Sequence, residues 1–193
     1  MRKLIFNPFI LVVLAASFFS FTTLPNNSET QKTITSSKVV WKGYKVLGSH
    51  EGTINLKSGF LSFNDDNLVG GEFIIDVSSI TVTDLEGDYK ANLEGHLKSG
   101  DFFGVETFPT AKLVITNADR TGKNAYEVTG DLTIKETTNA ITFDVSVYGN
   151  KATANLKIDR TAFDIKYGSA NFFDGLKDKA IYDEFDLVVD AEF

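Results

Sequence analysis

The chain has 193 residues, 42% of them hydrophobic, and no cysteine. That length suits one domain able to bury about 70% of its unfolded surface, and the missing cysteines exclude disulfide staples and thiol chemistry. With 19 basic against 26 acidic residues the formal charge is −7, and no basic cluster is present to meet the phosphates of nucleic acid.

The first segment is Met1-Arg2-Lys3, followed by an uncharged apolar run from Leu4 to Leu24 with small residues at Ala15, Ala16, Ser17, Ser20 and Thr22. A basic head, an apolar stretch and a small-residue exit form the pattern of a secretory signal peptide, assigned here to residues 1–22. Asn7 and Pro8 interrupt the run early, which argues against a permanent membrane span. The cut is expected after Ser17, Ser20 or Thr22. A lipid anchor is excluded, since no cysteine follows the signal. Removal of Arg2 and Lys3 leaves 17 basic against 26 acidic residues, about −9, which disfavours tight docking on anionic membranes. The expected location is therefore the periplasm or the exterior. Residues 23–37 are polar and read as a flexible lead-in to a single domain over residues 38–193.

Beyond residue 38, apolar residues alternate with polar ones, the signature of strands with one buried face. Thr53 to Phe63 and Gly71 to Val77 are expected strands, joined through the turn-rich tetrad Asn64-Asp65-Asp66-Asn67. Gly48-Ser49-His50-Glu51-Gly52 reads as a tight loop. Asp84 to Lys98 breaks the rhythm, with Tyr89, Leu93 and Leu97 at i, i+4 and i+8, which predicts a short helix stopped at Gly100 and covering one barrel end. Later strands place Tyr126, Val128, Leu132 and Ile134 on one face, then Ile141, Phe143, Val145 and Val147, then Ala152, Ala154, Leu156 and Ile158, then Phe185, Leu187, Val189, Ala191 and Phe193. Thr121 to Asn124 and Gly149-Asn150 are hairpin turns.

Many antiparallel strands with one helix predict an all-β, closed barrel of about eight strands, because closure removes exposed edges. Such a barrel holds either packed side chains or one small ligand. Gly130, Ala152, Ala154 and Ala191 on inward faces either leave an apolar cavity or accommodate the barrel's taper. Two aromatic groups, Phe102, Phe103 and Phe108, then Phe163, Tyr167, Phe172 and Phe173, either close the barrel mouth or pack the loops beneath them.

Catalytic groups are scarce. The two histidines, His50 and His96, could join Asp84 or Asp88 around a metal, but no HxH, HxxxH or HExxH spacing occurs. GxSxG and phosphate-binding glycine motifs are absent. The expectation is a binding protein that catalyses nothing and needs no cofactor.

The segment Gly95-His-Leu-Lys-Ser-Gly-Asp-Phe-Phe-Gly-Val-Glu-Thr-Phe-Pro-Thr110 resembles the most distinctive stretch of the YceI-like family of bacterial periplasmic proteins. Gly130 to Ile134 is similar to its following strand, and Ile158 to Phe163 to its late arginine-containing strand. The resemblance implies an extended eight-stranded antiparallel barrel, lipocalin-like in shape. It further implies a long isoprenoid chain, a polyprenyl phosphate or a quinone, held in an apolar channel by a carrier or storage protein. Carried over by position, His96, Leu97, Asp101, Phe102, Phe103 and Pro109 shape one channel wall. Arg160 either anchors a polar head or satisfies a buried carboxylate such as Asp101 or Asp164. Phe108, Tyr126, Val128, Phe143, Leu156, Phe163 and Tyr167 complete the expected ligand-contacting set. The opening Trp41 to Gly52 and the ending Tyr167 to Lys179 depart from the commoner family pattern. Two other readings stand beside the carrier, a ligand-free interaction module with a filled core and a metal-dependent secreted enzyme. Oligomeric state stays open, a dimer included.

Overall fold

The computed structural model describes residues 29–193; the expected signal peptide and the lead-in as far as residue 28 lie outside the described residues. Among the described residues nine strands follow one another: β1 Glu29–Thr33, β2 Ser36–Lys45, β3 Gly48–Asn64, β4 Asn67–Val82, β5 Thr110–Arg120, β6 Ala125–Ile134, β7 Thr137–Tyr148, β8 Lys151–Asp159 and β9 Ile181–Glu192. One helix, α1 Gly87–Lys98, stands between β4 and β5, and short 3₁₀ turns at Arg160–Phe163 and Lys177–Lys179 precede β9. All strand pairs are antiparallel. Pairing of β2 with β9 and of β3 with β4 closes the sheet on itself, so the eight-stranded lipocalin-like barrel foreseen from sequence is the fold.

The ninth strand does not add a stave. β1 pairs with β3 through Thr33↔Phe60, and β2 pairs with the same strand through Val39↔Ile54, in one unbroken register. β1 and β2 are thus one stave interrupted at Ile34-Thr35. Residues 29–37 were expected as flexible lead-in, and there the structure differs. Apart from half-buried Ile34 their side chains are polar and exposed, so sequence hydropathy carries little sign of them, and backbone pairing with the long β3 fixes them instead.

Two other expectations are corrected. Gly48 to Gly52 is not a loop but the start of β3, paired with Trp41 to Lys45; the turn falls one step earlier, at Val46-Leu47. The helix ends at Ser99 rather than Gly100, with the Ser99 amide and hydroxyl both donating to His96 O. Its Tyr89 is 78% exposed, while Leu97 is buried. The helix meets the barrel only through its second half, and its first turn clears the wall.

The barrel has unlike ends. At the hairpin end, the β3–β4, β5–β6 and β7–β8 turns sit over a packed plug of Phe63, Leu68, Tyr126 and Val128, all at most 3% exposed. Tyr126 reaches out of this plug to donate to Asp66 O at 3.3 Å. At the helix end lie α1, the β2–β3 turn and the loop from Asp164 to Ala180. β5 begins opposite Asp76, which leaves β4 beyond that point without a strand neighbour on that side. The helix covers this edge. Glu94 Oε1 accepts from Val82 N at 2.8 Å and from Thr81 Oγ1 at 2.7 Å, satisfying a backbone donor that a missing strand would otherwise orphan.

Candidate ligand tunnel

Inside the barrel, above the plug, is a cavity of about 570 Å³ that opens at the helix end. Its size falls within the range of small-molecule sites. Inward rows of the strands build its wall: Trp41 on β2, Phe73 and Ile75 on β4, Leu132 and Ile134 on β6, Phe143 and Val145 on β7, Leu156 and Ile158 on β8, Leu187 and Val189 on β9. Ala152 and Ala191, paired across β8 and β9, form a narrow floor with Ile115 and Leu61. Ala152, Ala154 and Ala191 therefore border open space, whereas Gly130 does not line the cavity: a Cβ there would meet Val114 O at 2.9 Å, so that glycine serves close strand packing instead.

Seven of the twelve expected contact residues line this cavity: His96, Leu97, Phe102, Phe103, Phe143, Leu156 and Arg160. Five are placed elsewhere. Tyr126 and Val128 belong to the plug, because the same inward face of β6 passes from cavity to packed end along its length. Phe163 is buried in the core under the 3₁₀ turn. Phe108 lies in the loop after α1, packed near Gly104. Tyr167 is half-exposed and covers His96 from outside, with ring centroids 4.5 Å apart and edge-on.

The aromatic groups thus divide. Phe102 and Phe103 join the wall, whereas Phe172 and Phe173 stand exposed on the Asp164–Ala180 loop. His96 sits against Phe102 as well, at 5.1 Å. Its Nε2 is a buried side-chain polar atom without a hydrogen-bond partner among the described residues.

Arg160 is 3% exposed and fully engaged in structure. Its Nε donates to Tyr182 O, Nη1 to Ile165 O at 2.7 Å, and Nη2 to Ile181 O, with Asp183 Oδ1 at 3.5 Å from Nη2. The ion-pair partner is therefore Asp183, not Asp101 or Asp164; Asp164 pairs instead with Lys166 at 2.7 Å. Burial pushes the Arg160 guanidinium below its ordinary value, against the charges of Asp183 and Asp159. The side chain ties the end of β8 to the start of β9 and hangs the intervening loop from both.

His50, His96, Asp84 and Asp88 do not gather around one point. His50 Nδ1 lies 2.9 Å from Asp84 Oδ2 in a half-exposed pair, which also takes the Glu51 amide, while His96 is on α1. Among the described residues no three metal-capable side chains come together.

Sequence reasoning missed Val77 and Ile80 as neighbours on one wall. Their odd spacing reverses the period of two, because β4 carries extra residues between Asp76↔Asn55 and Thr81↔Thr53. Ser79 Oγ holds this bulge, donating to Asp76 O and accepting from Asn55 N. Nothing in the local pattern announces it.

The description "YceI-like domain" matches residues 26–193. A UPF0312 protein of Pseudomonas putida is 39% identical over 59 residues, 31% of this chain and 31% of its own, so the match spans about a third of that relative's length. The crystal structure of BcnA from Burkholderia cenocepacia superposes with a TM-score of 0.65 at 24% identity, covering 80% of this chain and 94% of that one. A polyisoprenoid binding domain from Saccharophagus degradans superposes with a TM-score of 0.58 at 15% identity, covering 85% and 97%. At these identities the structural likenesses show a shared fold.

Proposed function

The chain belongs to the YceI-like family, and from that premise we propose that it binds one long apolar lipid, a polyprenyl phosphate or a prenyl quinone, as a periplasmic carrier or store. The observation that carries the reading is the cavity itself, about 570 Å³ and walled almost wholly by aliphatic and aromatic side chains. Each methylene-sized group moved from water into such a wall contributes about 0.8 kcal/mol. Ten of them contribute about 8 kcal/mol, which is comparable with the roughly 4–15 kcal/mol cost of association. A long hydrocarbon chain can therefore bind with few polar contacts. The likeness of fold to a domain described as polyisoprenoid binding supports the same ligand class. The basic and apolar segment at residues 1–22 supports export.

The test is native mass spectrometry of exported protein purified without detergent, followed by lipid extraction and fragmentation. The expected result is a stoichiometric adduct with a prenyl fragmentation series, on a chain beginning after Ser17, Ser20 or Thr22. A protein that carries no adduct and takes up neither a prenyl quinone nor a polyprenol when challenged would sink the proposal.

A further inference from the structure

Ten large apolar side chains stand exposed among the described residues, and six surround the tunnel opening. Val46 and Leu47 form the tip of the β2–β3 turn, 46% and 70% exposed. Tyr167, Phe172 and Phe173 lie on the Asp164–Ala180 loop, and Tyr182 is the second residue of β9. These segments are held together at the opening. Val46 N donates to Ala180 O, Ile181 N to Gly168 O, and Asn171 Nδ2 to Asp183 Oδ2. Leu47 and Tyr182 belong both to this exposed rim and to the cavity wall, so the rim and the tunnel share apolar side chains.

From this placement we infer that the rim is a membrane-docking surface, through which the tunnel mouth meets a zwitterionic lipid bilayer and exchanges its ligand without passing it through water. The inference rests on the ligand-binding reading above. Three features favour a bilayer over a folded protein partner. The apolar groups sit on separate turn tips rather than along one groove, which suits a fluid surface more than a rigid one. Two rim side chains, Tyr167 and Tyr182, are tyrosines, with an apolar ring and a polar tip of the kind that settles at lipid headgroups. Lys45 and Lys179 line the opening, with Lys177 beside them, and none of the three has an ion-pair partner among the described residues. Their long stems can lie along apolar groups while the ammonium reaches lipid phosphate. Asp178 and Glu184 stand at the same opening, so the rim is close to neutral and calls for no anionic lipid.

The experiment compares the wild-type chain with a Val46→Asp, Phe173→Asp double variant; neither residue lines the cavity. Tyr148→Asp, at the hairpin end and 76% exposed, is the control. Phosphatidylcholine vesicles are floated with each protein, and transfer of a prenyl quinone from the vesicles is followed by quenching of Trp41, the only tryptophan and part of the tunnel wall. Docking predicts that wild type floats, that its transfer rate rises in proportion to vesicle concentration, and that the double variant transfers at least about tenfold more slowly, as loss of two exposed apolar side chains that the bilayer would bury implies. Quinone supplied from detergent should quench both proteins within twofold. A rate independent of vesicle concentration, an equal loss in Tyr148→Asp, or an unchanged rate in the double variant overturns the inference, the last pointing to a protein partner instead. Equal loss from detergent and vesicles would also overturn it, by assigning the rim to the ligand site. If neither a prenyl quinone nor a polyprenol is taken up by wild type from either source, the carrier reading fails, and flotation of the ligand-free protein still decides the docking surface.

Discussion

Trp41 and Gly52 face each other across β2 and β3, and the indole occupies the space that a side chain at position 52 would need. A Cβ there would lie 2.7 Å from Trp41 Cζ2 and would collide with the Thr81 carbonyl oxygen. That same oxygen accepts from Trp41 Nε1 at 3.2 Å, so one missing side chain lets the indole pack flat, bond across to β4 and form part of the tunnel wall. Gly52→Ala is expected to cost about 1–3 kcal/mol by overpacking, with a shift in Trp41 emission in the folded state. Urea unfolding followed by circular dichroism and by fluorescence measures both; an unchanged midpoint would show that the strands part freely at this point.

The two parts of the barrel interior should answer differently to mutation. Leu68 in the plug is 1% exposed and lines no cavity. Leu68→Ala should destabilise by about 2–5 kcal/mol while ligand capacity per folded molecule stays the same. Ala154→Leu puts new bulk into open space beside Val145 and Val189, so it should leave stability nearly unchanged and reduce lipid uptake several-fold. Paired thermal melts and lipid titrations separate the two; a large stability loss in Ala154→Leu would mean the space is already filled.

Arg160 is expected to act through structure. Replacing it with Met leaves Asp183 without its cation and three carbonyls without donors, a loss of about 3–5 kcal/mol. Arg160→Lys should recover only part of this, because an ammonium cannot reproduce the planar fork. Lipid affinity, corrected for folded fraction, should be unchanged in Arg160→Lys. A fall in affinity without a fall in stability would instead assign the guanidinium to a head group.

Acid should loosen α1 from the barrel. Hydrogen bonds from Thr81 and the Val82 amide hold the Glu94 carboxyl below its ordinary value of 4.5. A carboxylate whose folded value is depressed contributes stability that is fully present above the unfolded value and is lost as pH falls through the folded one. Amide protection in α1 and at Val82, taken relative to the intrinsic exchange rate at each pH, should therefore fall below about pH 4.5, and Glu94→Gln should flatten that dependence. Identical pH profiles for the two proteins would place the acid-sensitive contact elsewhere.

Much of the fold was legible because period-two alternation is a local consequence of strand geometry. The inward rows of β6, β7, β8 and β9 follow it, and the block from His96 to Pro109 identified the family. The site was legible only in part. An inward position in sequence says that a side chain leaves water, not whether it meets another side chain or an empty space. Tyr126 and Leu132 share one face of β6, yet one packs in the plug and the other lines the tunnel.

The sequence by itself therefore determined β6 to β9 with their inward faces, parts of β3 and β4, the helix and the family, since each is written in spacing or in a contiguous motif. Only the tertiary structure decided where the barrel is plugged and where it is open, that β1 continues β2, that Glu94 replaces a missing strand, and that Arg160 finds Asp183. These depend on register between strands far apart in the chain and on a bulge that reverses the parity of β4, and such long-range pairings leave no periodic trace in the residues that make them.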